Sequence, residues 1–177
     1  MSLVLKNFLR FSLFILMQVF VLDNVNLHQM VTPYLYFLFL LWLPFSINRS
    51  VLMLIGFAVG FTLDSFRNQP GFHASACVLI TYIRPFIVNL LIPQEGAETN
   101  YQAPSIQSLG GLLPYMVFAG VLTFLHNACV FFLEAWQFGN IWYFLIKTLL
   151  STAITLILIL VTELIFPRKQ RFRTNTI

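Results

Sequence analysis

No polar stretch in this chain is long enough to fold in water on its own. The longest, Gln94 to Ser108, lies between apolar runs that occupy most of the sequence. Of the 177 residues 59% are apolar and 9% charged, with a mean hydropathy of +0.84. So few charges cannot cover a water-facing surface. That excludes a soluble globular domain and leaves one integral membrane domain over residues 1–177. The net charge of +4 and pI near 9.3 do not point to nucleic acid, because most basic residues flank apolar segments, where they orient a membrane protein. Cys77 and Cys129 both fall inside apolar runs, as packed free thiols do.

The runs predict an all-α bundle of six transmembrane helices, at about 7–22, 33–47, 51–66, 74–92, 109–132 and 141–166, with a basic tail over 167–177. Lys6 and Arg10 precede the first run in the order of a signal peptide, but no small-x-small cleavage site follows, so an uncleaved helix is expected. Thr32 and Pro33 open the second helix as a cap and first-turn pair. That helix is short: about fifteen residues at ~1.5 Å each reach about 22 Å, against a hydrocarbon core of about 30 Å. Pro70 and Gly71 reverse the chain after the third helix, Pro85 is expected to bend the fourth, and Pro93 ends it. Six spans put Lys6, Arg10, Arg49, Arg168, Lys169, Arg171 and Arg173 on cytoplasmic flanks and Arg67 outside. Both termini are then cytoplasmic, and Trp136, Trp142 and Tyr143 form an outer aromatic belt.

Within the third run, LIGFAVGFTLDSF, Gly56, Gly60 and Asp64 recur at intervals of four and share one helical face. Two glycines at that spacing admit close approach of another helix or a lipid, and an acid one turn on is costly in hydrocarbon unless paired or near the interface. Any polytopic bundle also uses small-residue seams. Together with Arg67, Gly71 and His73 in the following turn, this face is a candidate partner or ligand interface. Elsewhere Arg84 and Glu163 lie at one depth, and Lys147, Glu134 and Asp64 at another; such pairs either hold the bundle together or mark function. His126 beside Asn127 reads as a hydrogen-bonded helix contact. Thr148, Ser151, Thr152, Thr155 and Thr162 form a hydroxyl seam in the sixth helix, and Gly120, Thr123 and Asn127 a stripe in the fifth. Each faces either the bundle interior or a partner.

Signatures of catalysis are missing: there is no HExxH, no cysteine pair at metal spacing, no phosphate-binding glycine loop and no GxSxG. No catalytic residue, metal or cofactor is therefore expected. Asp64, His73 and Ser75 suggest a nucleophile arrangement no better than they suggest a capped turn.

Several short motifs, taken in order, resemble the bacterial rod shape-determining protein MreD family: Thr32-Pro33 opening a short helix that ends in Leu-Pro-Phe, then Gly56-Phe57-x-x-Gly60-x-x-x-Asp64, then Gly71-x-His73-Ala74. Arg84-Pro85-Phe86 and Phe131-Phe132-Leu133-Glu134 are similar to forms of that family as well, and the likeness spans about Pro33 to Phe166. One position departs, since many members carry an acid directly after the proline of the second helix and this chain carries Tyr34. The resemblance implies a non-enzymatic part of the cell-elongation machinery in the bacterial inner membrane. Its implied partners are an MreC-like protein, RodA, a class B penicillin-binding protein and the MreB cytoskeleton, and membrane lipid is expected around any such bundle. It also implies a six-helix bundle similar to the substrate-binding subunits of energy-coupling-factor transporters. That supplies a rival expectation, a transport subunit binding a small molecule or a lipid.

The basic-residue bias fixes an expected topology. A reporter fused after Ile177 or within Gln94 to Ser108 reads cytoplasmic, and one within Arg67 to Phe72 reads external. An external signal from Gln94 to Ser108 would overturn the six-span arrangement.

Overall fold

A computed structural model of the chain describes residues 3–24, 31–69, 71–91, 103–135 and 141–166. Six α-helices are present among them: α1 (Leu3–Phe20), α2 (Leu38–Leu41), α3 (Arg49–Arg67), α4 (Phe72–Leu91), α5 (Leu112–Ala135) and α6 (Ile141–Ile165). A 3-10 turn, Leu22–Asn24, follows α1. Four of them, α3 to α6, are long and apolar enough to cross a membrane by length and composition. They pack in chain order, α3 on α4, α4 on α5 and α5 on α6, while α1 touches α2 and α3. The basic tail, Trp136, Pro70 and Pro93 fall outside the described residues.

Boundaries of the long helices lie within a few residues of the expected ones, and at α3 both ends are set by caps. Asn48 opens α3 by accepting the Ser50 N–H at 3.4 Å, and Asn68 closes it in the left-handed conformation with φ of 53°. The link to α4 then turns at Gly71, whose φ of +86° few other residues adopt. α4 runs on through Pro85 without ending.

The second element differs from expectation. Residues 33–47 do not form one helix; only the single turn α2 is α-helical, and the chain from Val31 to Tyr36 is not helical at all. Tyr34 through Leu41 are all buried, with Tyr34, Tyr36, Phe37, Leu38 and Leu40 fully enclosed. The segment starts beside the C-terminal end of α3, where Tyr34 meets Arg67, and finishes at Asn48, the cap of the N-terminal end. It therefore traverses the whole length of α3, about 28 Å at 1.5 Å per residue. An extended chain rises about 3.3 Å per residue, so the non-helical start makes up the reach that a helix of this length lacks. Pro44, two residues beyond the C-terminal cap Trp42, keeps α2 short.

Such backbone is tolerated at membrane depth only where protein satisfies it. From Thr32 to Leu35 side chains do so donor by donor. The Thr32 N–H donates to Ser151 Oγ at 3.1 Å, Pro33 has no N–H, Tyr34 N–H donates to Thr155 Oγ1 at 3.2 Å, and Leu35 N–H donates to Gln18 Oε1 at 2.8 Å. Gln18 Nε2 in turn donates to the Pro33 carbonyl at 3.1 Å. At the other end the Arg84 guanidinium donates to the Leu41 and Leu43 carbonyls, which closes α2.

The glycine face of α3 lies against α4. A Cβ at Gly56 would sit 2.8 Å from Thr81 Oγ1 and 3.0 Å from the Cys77 carbonyl, and one at Gly60 would sit 2.5 Å from Ala74 Cα and from the His73 carbonyl. At Gly60 the obstacle is backbone, which cannot swing away. Gly60→Ala is therefore expected to pry α3 from α4 at a cost of about 1–3 kcal/mol despite the better helix propensity of alanine. Gly120→Ala, whose Cβ would meet only Leu156 Cδ1 at 3.8 Å, is expected to be neutral. Melting of the purified variants in detergent compares the two, and equal midpoints would refute the close contact.

Candidate functional site

Where the start of the 31–47 segment passes the ends of α1, α3 and α4, polar side chains converge in an otherwise apolar bundle. Asp64, on the last turn of α3, is buried and points across the turn at the start of α4. Its Oδ1 accepts the His73 N–H at 3.0 Å and pairs with His73 Nδ1 at 2.8 Å, while Oδ2 accepts the Ala74 N–H at 2.9 Å. A carboxylate thus takes up two of the orphan donors of a helix start, where the helix dipole also favours negative charge.

His73 Nε2 lies 3.2 Å from Arg67 Nη1. A guanidinium has donors only, so Nε2 accepts, and the proton of a neutral ring sits on Nδ1, facing Asp64. Arg67 fills the space between: Nη1 also donates to the Tyr34 hydroxyl at 3.1 Å, Nε donates to Asp23 Oδ2 at 2.9 Å, and Nη2 pairs with Asp23 Oδ1. Two parallel bonds to one carboxylate are the geometry that arginine satisfies and lysine does not. Gln18 Nε2 reaches the same Asp23 at 2.8 Å, which ties the ion pair to the residue that holds the extended backbone. Arg67 and Asp23 remain about a sixth exposed, at 18% and 17%, so the cluster opens at one end.

Deeper in the bundle a second chain of hydrogen bonds begins where the Tyr34 and Tyr36 rings pack edge-on, with centroids 6.3 Å apart. The Tyr36 hydroxyl accepts from the Cys77 thiol at 3.4 Å and meets His126 Nε2 at 2.7 Å; Nδ1 of His126 faces Asn127 Oδ1 at 3.3 Å, and Asn127 Nδ2 donates to Thr152 Oγ1 at 3.1 Å. Asn127 commits its oxygen to His126 and its amide to Thr152. His126 therefore carries its proton on Nδ1 and takes the Tyr36 proton in a hydrogen bond at Nε2. Phe37 stacks on the His126 ring at 4.4 Å, and both Tyr34 and Tyr36 contact His73 and His126.

The other intramembrane residues fall into separate contacts. Lys147 Nζ pairs with Glu134 at 2.9 Å and lies 4.4 Å above the Phe131 ring. Glu163 accepts from the Tyr115 hydroxyl at 3.1 Å. Thr148, Ser151, Thr152 and Thr155 are buried, as are Thr123 and Asn127, so the hydroxyl seam and the fifth-helix stripe face inward. Cys77 and Cys129 are free thiols. Ser75 is exposed and donates to the Phe72 carbonyl, away from the Asp64–His73 pair. Among the described residues no three His, Cys, Asp or Glu side chains are grouped to hold a metal ion.

Of the residues marked from sequence, Asp64, Arg67 and His73 come together, Gly60 seats the backbone of His73, and Gly71 supplies the turn. The face carrying Gly56, Gly60 and Asp64 is occupied by α4 rather than left open to a partner. Gln18, Asp23 and Tyr36 were not foreseen. A lone glutamine inside an apolar helix was the available signal for the first, and no spacing pattern marks the other two. No family model, curated protein or solved structure matches this chain.

Asp64→Asn replaces one of the two acceptor oxygens by an amide and leaves a buried N–H facing another donor. It is expected to destabilise the fold by about 1–3 kcal/mol. Adding Lys147→Gln should not restore it, since Lys147 serves Glu134. A double variant that melts like the wild type would contradict the geometry at Asp64.

Proposed function

We propose that this chain is a non-enzymatic membrane component of the bacterial cell-elongation machinery, of the MreD type. In this role it binds an MreC-like protein and, with RodA, a class B penicillin-binding protein and the MreB cytoskeleton, couples cell shape to peptidoglycan synthesis. One observation carries the reading. Two of the motifs on which the resemblance rests pack directly on each other, with Gly60 and Asp64 seating His73 and Ala74, and Tyr34, next to the Thr32-Pro33 motif, lies beside Arg67. No role of the family's acid is carried over to Tyr34, whose hydroxyl here accepts from Arg67.

With this reading goes a six-crossing topology in the inner membrane with both termini cytoplasmic, α1 and the 31–47 segment adding two crossings to the four apolar helices. It also includes the likeness to the substrate-binding subunits of energy-coupling-factor transporters. The role proposed needs a rigid scaffold with an accessible face, and a polar network that fixes one end of the bundle suits it.

Depletion of the protein in its rod-shaped host is expected to give round cells, restored by the wild type. Arg67→Leu, which orphans the Asp23 carboxylate, is expected to restore shape poorly and to recover less MreC-like protein on co-purification. Unchanged rods on depletion, with no MreC-like protein recovered by the wild type, would overturn the proposal.

A further inference from the structure

Between α3 and α4 an apolar groove of about 490 Å³ runs along Met53, Phe57, Val78, Leu79 and Tyr82 and reaches Gly71, Ala74 and Ser75 where α4 begins. That volume lies within the roughly 300–1,000 Å³ of pockets that hold small ligands. Arg49 stands at one end of it. The guanidinium is held by two rings, 4.5 Å above Phe86 and 5.6 Å from Tyr82, and Tyr82 also lines the groove. A fixed cation and an apolar channel therefore share a wall. From Arg49 to Gly60, the level at which α3 meets Ala74, the helix rises about 16 Å, close to one leaflet of a hydrocarbon core about 30 Å thick.

We infer that this groove binds an anionic phospholipid, with its phosphate on Arg49 and one acyl chain along Met53, Phe57 and Val78 toward Ala74. The charge of Arg49 selects the headgroup, and the depth of the groove suits a chain anchored at that level. A partner helix fits less well. Helices in lipid associate through small or polar seams, and here the exposed rings of Phe57, Phe61, Tyr82 and Phe86 hold a second backbone away. A flexible acyl chain threads between such rings. The positive-inside bias places Arg49, and so the lipid, in the cytoplasmic leaflet. The site is independent of the role proposed above and stands or falls by a separate measurement.

Native mass spectrometry of the full chain, released from detergent containing equal phosphatidylglycerol and phosphatidylcholine, reads the retained lipid directly. The wild type is expected to keep phosphatidylglycerol in preference. Arg49→Gln, at an exposed position whose side chain rests on the Tyr82 and Phe86 ring faces, is expected to lower that preference about five-fold, the effect of one basic side chain near an anionic surface. Phe86→Leu, which removes a ring beneath the guanidinium, should shift it in the same direction, and Val78→Trp, which fills the groove, should reduce retention of both lipids. Equal retention of the two lipids by the wild type, or an unchanged preference in Arg49→Gln, would overturn the inference. So would a mass of two chains that Val78→Trp abolishes, which would assign the groove to a second copy.

Discussion

A buried stretch of backbone that is not a helix must find hydrogen bonds elsewhere, and in this protein most other features answer to that requirement. In hydrocarbon an unmade backbone bond costs several kcal/mol, so the extended start of the 31–47 segment exists only because α1 and α6 supply acceptors at its register. Ser151 and Thr155 are one turn apart on α6 and meet Thr32 and Tyr34, two residues apart on an extended chain. The spacings agree because one helical turn rises about 5.4 Å and two extended residues about 6.6 Å. The hydroxyls that look like a packing seam on α6 are thus the backbone partners of another element.

Gln18 links this requirement to the polar cluster. One oxygen accepts from Leu35, and the amide donates both to Pro33 and to Asp23, the carboxylate that holds Arg67. Through Arg67 the same ties extend to Tyr34 and His73, and through His73 to Asp64 and the start of α4. Four elements are fixed at one end of the bundle by groups that have few alternative partners in lipid. Networks of this kind gain from low dielectric when complete and are costly when broken, so single substitutions within them act beyond the residue changed.

Glycine and arginine divide the rest of the work. Gly56 and Gly60 bring the α3 and α4 backbones together, so that Asp64 can reach across a short turn. Arg84 neutralises the carbonyl end of α2, while Arg49, outside the bundle, rests on aromatic rings. The two arginines lie on the same pair of elements yet meet different demands. The buried one is held by carbonyls, and the exposed one keeps a charge available at the lipid boundary.

Much of the fold could be read from residues alone. The all-helical membrane character and the four long apolar helices follow from apolar runs bounded by Pro, Gly and Asn, because hydrocarbon permits little besides a helix there. The Gly56, Gly60, Asp64 periodicity marked a contact face, and Lys147 with Glu134 were placed at one depth by helix rise. Tertiary structure decided what touched those residues: that the glycine face receives α4, that Asp64 caps a helix instead of pairing with Lys147, and that residues 33–47 are mostly not helix. Thr32-Pro33 carries the local signature of a helix start, and local signatures report only the cost of bending the backbone. Whether the N–H groups of Thr32, Tyr34 and Leu35 could be buried on an extended chain depended on Ser151, Thr155 and Gln18, over a hundred residues away in two cases, and no spacing along the chain contains that information.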